Sequence, residues 1–345
     1  MSDAPRRVLA AYGITSPPAG VRDLGAAGGF SGARFWKITD PRGTFCLRRW
    51  PVEYPTCERL TWIHAVLHHV ARVGFTRLPL PRPTRAGATW VEHEGQLWEL
   101  TPWMPGEANF HRSPRPEKLA AALHALAEFH LAAASFPGGT GYGNSPGVLQ
   151  RLERIEHWLN GGLERLVEAM TPSIWPELYP RAGRVFDGVR ARAGSVRLAL
   201  ARAAELRVAL QPCIRDVWHD HLLFQGDTVS GVVDFGSMAS DTVACDIGRL
   251  LGSLARDDAE RWNAGVAAYQ QIRPMGEAEL ELVNCFDRST IVLGGLNWLQ
   301  WIYGENRQFS DPAAVLRRID EILARLEWRR DSGGWLGGRG GDDLP

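Results

Sequence analysis

Apolar residues follow two different rhythms along this chain, and the rhythm changes near residue 105. Before it, short apolar runs are bounded by turn signals. FWKITD, then PRG, then TFCLRRW predict two strands around a turn, and ATWVEHEG with QLWELTPWM predicts a hairpin. One segment there differs: Leu60, Ile63, Leu67 and Val70 recur at helical spacing and predict an amphipathic helix. LPLPRPTRAG is proline-rich and must be extended or turning. The composition changes at Pro105-Gly106, and from Pro116 onward the periodicity is mostly helical. KLAAALHALAEFHLAAASF is a strong helix former. RLERIEHWLNGGLERLVEAM, the stretch from Tyr179 to Leu206, Asp246–Gln271 and 275–304 share that period. A last amphipathic helix begins with Asp311 as N-cap and Pro312 in first position. GTGYGNSPG mimics a nucleotide loop, but it follows a helix rather than a strand and is read as an interhelix linker. The expectation is an α+β chain with a small β-rich lobe over 20–104, a larger helical lobe over 105–330 and a disordered tail over 331–345.

One strand-like stretch interrupts the helical part. CIRDVWHDHLLFQGDTVSGVVDFG runs from Cys213 to Gly236 and reads as a loop, a hairpin and an acidic turn. Leu222, Leu223 and Phe224 form one apolar strand, Gly226-Asp227 the turn, and Gly231-Val232-Val233 a second apolar strand that ends in Asp234. A carboxylate ending an apolar strand has to be paired, metal-bound or solvated in a cleft. Asp216 opens the same segment, so two carboxylates flank one hairpin.

Phosphoryl transfer from ATP needs few parts, and the chain offers a candidate for each in a consistent order. Gly28, Gly29, Ser31 and Gly32 precede the first clear strand, where glycines let backbone N–H groups approach phosphates. Arg48 lies on the next strand and suits phosphate oxygens as a bidentate cation. Glu58 opens the following helix, either to orient Arg48 or as an acid favoured by the helix dipole. Asp216 is the candidate for the carboxylate aimed at the attacking hydroxyl, and Asp234 the candidate metal ligand.

These residues resemble the aminoglycoside phosphotransferase and choline kinase group, whose fold is protein-kinase-like and bilobal. The resemblance covers roughly residues 20–305. It places the catalytic aspartate at Asp216, an atypical second metal ligand or a loop brace at His221 and the metal-binding turn at Val233-Asp234-Phe235-Gly236. Asp246 matches the later aspartate that braces the catalytic loop, and LAEFH ending at His130 matches the helix before it. WELTPWMPGE resembles the hinge that contacts adenine, which implies Glu99, Leu100 and Met104 there, mainly through backbone groups. Four positions depart from the pattern. Ile214 stands at the histidine, Arg215 at a small residue, Arg48 where lysine is commoner, and His221 at an asparagine. Mg²⁺ prefers oxygen ligands and imidazole suits Mn²⁺ or Zn²⁺ better. The resemblance therefore implies an ATP-dependent phosphotransferase using Mg²⁺, or Mn²⁺, on the hydroxyl of a small-molecule acceptor. The alternative is a pseudokinase that binds nucleotide or a partner without chemistry.

Composition narrows the partners. Net charge is zero and the pI near 7.2, so nothing favours nucleic acid. Five scattered cysteines with no C-x-x-C spacing argue against a disulfide framework and for a reducing compartment. The first residues have too short an apolar run for a signal peptide, and no stretch is long and apolar enough for a bilayer. A cytoplasmic protein without membrane partners is expected. His219 with His221, and His64 with His68, have spacings that metal sites use, but lone or solvated histidines are the commoner outcome. Trp298 and Trp301 share a helix face, either as an aromatic wall for a cationic or sugar-like acceptor or as core.

Overall fold

The computed structural model describes residues 3–14, 20–26, 32–309 and 311–328. The chain forms two compact units. One comprises residues up to Gly138 together with His219–Met238; the other comprises Gly139–Trp218 and the chain from Ala239 onward. The first unit takes in, besides the β-rich part, a helix and the apolar hairpin from beyond residue 104. The tail expected over 331–345 lies outside the described residues.

The first unit is built on an antiparallel sheet in the order β1-β2-β3-β5-β4. Its strands are β1 (Gly20–Gly25), β2 (Arg34–Asp40), β3 (Gly43–Arg49), β4 (Val91–His93) and β5 (Gln96–Pro102). Period-two alternation gives each face a job. One face presents Trp36, Ile38, Phe45, Leu47, Trp98 and Leu100 to helix α1 (Asp3–Ala11), whose Val8 and Leu9 complete a buried cluster. That helix was not expected from sequence, since MSDAPRRVLAAYG is short and carries few apolar positions. The opposite face carries Arg48 and Glu99, which are register partners on β3 and β5. Helix α2 (Cys57–Arg72) contributes Leu60 to a cluster with Trp50 and Leu97, and Leu97 shares that face of β5. Thr56 caps α2 by accepting the Arg59 N–H at 3.2 Å.

Helix α3 (Pro116–Ala133) and the hairpin Leu222–Gln225/Thr228–Val232 complete this unit. Phe129 packs between Phe75 and Phe235, with both ring centroids 5.7 Å away. Glu107 and Phe224 exchange backbone hydrogen bonds of 3.1 and 2.9 Å, which ties the segment after β5 to the hairpin.

In the second unit β6 (Gly141–Asn144) and β7 (Arg207–Cys213) pair antiparallel, and Ala239–Asp241 pairs on the other side of β7. The segment read as an interhelix linker therefore contains a strand; β7 supplies its backbone partners, which glycine-rich sequence does not reveal. The helices are α4 (Pro146–His157), α5 (Leu163–Ala169), α6 (Tyr179–Ala204), α7 (Ala244–Leu254), α8 (Ala259–Ile272), α9 (Glu277–Leu299) and α10 (Pro312–Trp328). Their periodicity was legible, and α6 and α9 form the centre against which α4, α7 and α10 pack. Among the described residues no helix is long and apolar enough to cross a membrane.

Gly106 is the tightest backbone point behind the hairpin. Its φ is +98°, and a Cβ there would meet Ser230 Oγ and lie 2.8 Å from the Phe224 carbonyl. Gly106→Ala is expected to cost about 3 kcal/mol, from backbone strain plus the clash. Gly87→Ala, at φ +86° with nothing within 4 Å of the new Cβ, carries only the strain. Thermal denaturation of both variants checks this; equal Tm losses would contradict the close approach.

Candidate active site

The first unit assembles a chain of buried polar groups on the α2 face of its sheet. Arg48 side chain is 10% exposed. Its guanidinium lies 3.4 Å from the Trp50 ring centroid and 5.2 Å from that of Phe35. It donates to Asp234 Oδ1 at 3.1 Å and lies 4.0 Å from Glu99. Its Nε is buried with no hydrogen-bond partner. Glu99, on the adjoining strand, meets His64 Nε2 at 2.7 Å, and His64 Nδ1 meets Thr89 Oγ1 at 2.7 Å.

Asp234 sits just past the hairpin with φ +63°, in the left-handed region that a non-glycine residue adopts only when the surroundings demand it. Val233 N–H donates to the His221 carbonyl at 2.9 Å, and Gly236 N–H approaches Asp234 Oδ1 at 3.4 Å. Tyr54 O–H donates to the Gly236 carbonyl at 2.7 Å, while Trp50 lies so near Gly236 that a Cβ would come within 3.0 Å. Asp234 Oδ2 lies 3.8 Å from His221 Nε2. Burial raises the Asp234 pKa, but the charges of Arg48 and His221 and the hydrogen bonds from Arg48 and Gly236 outweigh it and hold the carboxyl down at about 2.

Several expected residues lie elsewhere. Gly28, Gly29 and Ser31 are outside the described residues. Gly32 has φ +80°, a conformation that favours glycine. Glu58 does not orient Arg48: it is exposed at the start of α2, where its own backbone N–H and Thr56 lower its pKa. The carboxylate beside Arg48 comes instead from Glu99. The Glu99 side chain is thus turned to Arg48 and His64, and Leu100 gives its carbonyl to Arg82 N–H at 2.8 Å while its side chain is buried against α1. Met104, beyond β5, has no backbone hydrogen bond among the described residues. His219 faces Asp220 and stacks edge-on to His111 at 4.4 Å, whereas His221 faces Asp234, so the two histidines serve different neighbours.

The second unit fixes the loop that carries Asp216. Asp246, fully buried at the start of α7, accepts from Ile214 N–H at 2.7 Å and Arg215 N–H at 2.6 Å. These bonds hold Arg215 at φ +68°. The Arg215 side chain reaches Gln150 at 2.7 Å and Asp241 at 3.5 Å. Asp241 is itself buried and takes hydrogen bonds from Ser145 at 2.6 Å and Thr242 N–H at 2.9 Å; burial pushes its pKa up. Ile214 is fully buried, so the apolar side chain at the histidine position is a core residue. Asp216, about half exposed, accepts from Arg249 Nε at 3.0 Å. Arg249 and Arg318 both approach the Trp218 ring, at 5.6 and 4.6 Å.

Sequence reasoning missed Arg249, Asp241 and the role of His64. Arg249 lies three residues after Asp246, on the same helix face, which was a usable signal. His64 interrupts the apolar stripe of α2, the mark of a paired polar group in a core. Trp298 is 7% exposed and packs against Trp301 and Phe309, so the core reading holds for it. Trp301 lines an open pocket of about 500 Å³ with Glu153, Trp158 and Glu305.

Residues 24–282 match the model of the phosphotransferase enzyme family typified by aminoglycoside phosphotransferases. The chain belongs to that family. The homoserine kinase of Rhizobium johnstonii is 26% identical over 270 residues, covering 75% of this chain and 76% of that protein. A choline/ethanolamine kinase family protein of Mesorhizobium loti superposes with a TM-score of 0.59 at 20% identity, covering 95% of this chain and 99% of that one. Amicoumacin kinase, solved in complex with AMP-PNP, Ca²⁺ and Ami, superposes with a TM-score of 0.61 at 13% identity over 89% of each chain. The fold is thus the α+β fold of protein-kinase-like phosphotransferases.

The depressed pKa of Asp234 has a stability consequence. The unfolded carboxyl titrates near 3.8 and the folded one near about 2, so the pairing contributes fully above 3.8 and is lost as pH falls toward 2. The Tm difference between wild type and Asp234→Asn is expected to narrow as pH is lowered from about 5 to about 3. A difference constant over that range would contradict the pairing.

Proposed function

We propose that this protein transfers the γ-phosphoryl group of ATP to a hydroxyl of a small molecule. The observation that carries the reading is the Arg48–Asp234 pair: a left-handed acid at the end of an apolar hairpin, held by a buried guanidinium with an unpartnered Nε. A guanidinium held beside a carboxylate presents the charge and paired N–H groups that phosphate oxygens bind. Family membership and the homoserine kinase relatives support small-molecule phosphotransfer over the pseudokinase alternative.

Asp216 orients the acceptor O–H and takes its proton as the oxygen attacks phosphorus. The new O–P bond forms as the bond to the ADP oxygen breaks, and the proton passes from Asp216 to solvent. Arg249 holds one oxygen of that carboxylate in a fixed direction. Arg48 binds phosphate oxygens, with Gly32 and the glycines before it covering them and Met104 offering its free backbone groups to adenine. Asp234 would hold Mg²⁺ through its carboxylate oxygen, while the imidazole nitrogen of His221 beside it suits Mn²⁺ better. Either ion would supply positive charge to offset the charge developing on the phosphate. The acceptor is a hydroxyl-bearing small molecule of the kind the relatives' names describe, homoserine or choline among them, and the setting is cytoplasmic.

ATP turnover with a panel of such acceptors tests this. ADP formation is expected to need acceptor, and Asp216→Asn is expected to lower kcat by about 10³-fold while nucleotide affinity stays within about twofold. Full activity in Asp216→Asn would place the base elsewhere.

A further inference from the structure

In protein kinases the strand cation is set by an acid on the following helix, and movement of that helix controls the pair. Here the helix supplies no such acid. Glu58 is exposed at its first turn, and the face of α2 toward Arg48 offers His64 instead. The acid stands on the sheet. Glu99 is the register partner of Arg48 across β3 and β5, so the ladder itself fixes their separation.

The groups form one line: Thr89 Oγ1 to His64 at 2.7 Å, His64 to Glu99 Oε2 at 2.7 Å, Glu99 Oε1 to Arg48 at 4.0 Å, and Arg48 to Asp234 at 3.1 Å. His64 is 2% exposed, and the Glu99 and Arg48 side chains 10% each. Apolar side chains would fill this space at lower cost, because desolvating three ionisable groups is rarely repaid by their mutual attraction.

We infer that Glu99, on the sheet, and His64, on α2, are a positioning couple that fixes Arg48 against Asp234, so that the phosphate-binding cation is in place before nucleotide arrives. His64 holds the far oxygen of Glu99, and Thr89 holds His64, so the near oxygen keeps one direction. The inference rests on the phosphotransferase reading for its consequence, not for its geometry.

The test is a double-mutant cycle on KM for Mg·ATP. Glu99→Gln keeps size and shape, and is expected to raise KM about tenfold with a smaller fall in kcat. In an Arg48→Met background the same change is expected to add nothing. His64→Gln, which retains an N–H for Glu99, is expected to recover most of the affinity that His64→Leu loses. Wild-type KM in Glu99→Gln, or an equal effect in both backgrounds, overturns the couple. Crystal structures of wild type and Glu99→Gln form the second arm: the guanidinium is expected to leave Asp234 in the variant, and an unmoved guanidinium overturns the inference whether or not ATP binds. A wild type that binds no ATP counts against the kinase reading and leaves this arm to decide the couple.

Discussion

A guanidinium taken out of water has to be answered by charge, and the first unit is arranged around that demand. Arg48 sits on the inner face of β3 and is answered by Asp234, Glu99 and the Trp50 ring. Removing either acid leaves the buried guanidinium with less compensating charge, which is destabilising. The sheet register, the helix pairing through His64 and the left-handed turn at Asp234 all converge on this one cation. Phe235 and Gly236 anchor the turn from the other side, through Phe129, Trp50 and Tyr54.

The second unit meets a different constraint with the same economy. Its loop before Asp216 is irregular, and irregular buried backbone needs hydrogen-bond acceptors. Asp246 supplies two oxygens to two successive N–H groups and so sets the path of the loop. Arg215, which a small residue would not replace, links that loop to Asp241 and Gln150. Arg249, one turn along α7 from Asp246, then directs the Asp216 carboxylate. One helix therefore braces both the backbone and the side chain of the loop.

Much of this was legible in the residues. Period two in FWKITD and TFCLRRW, period 3.6 in the helices and the turn signal at Gly226-Asp227 gave elements that the structure contains. The acids were found because a carboxylate at the end of an apolar strand is a conspicuous expense. What escaped depended on partners remote in sequence. Glu99 was read as hinge from the resemblance of WELTPWMPGE, and only pairing with β3 shows that its side chain faces Arg48. Glu58 looked suitable because it opens α2, and nothing local shows that its side chain turns outward. Strand β6 was invisible because its glycines carry no pattern and β7 lies more than sixty residues away. Helix α1 is short, and its burial depends on a sheet face formed later in the chain.

A metal-nucleotide site at Asp234 and Arg48 can be measured by calorimetric titration of ATP into wild type and Asp234→Ala, each without metal, with Mg²⁺ and with Mn²⁺. Metal-dependent binding is expected in the wild type and is expected to disappear in the variant. Equal affinity in the two proteins, or no binding under any condition, would contradict that site.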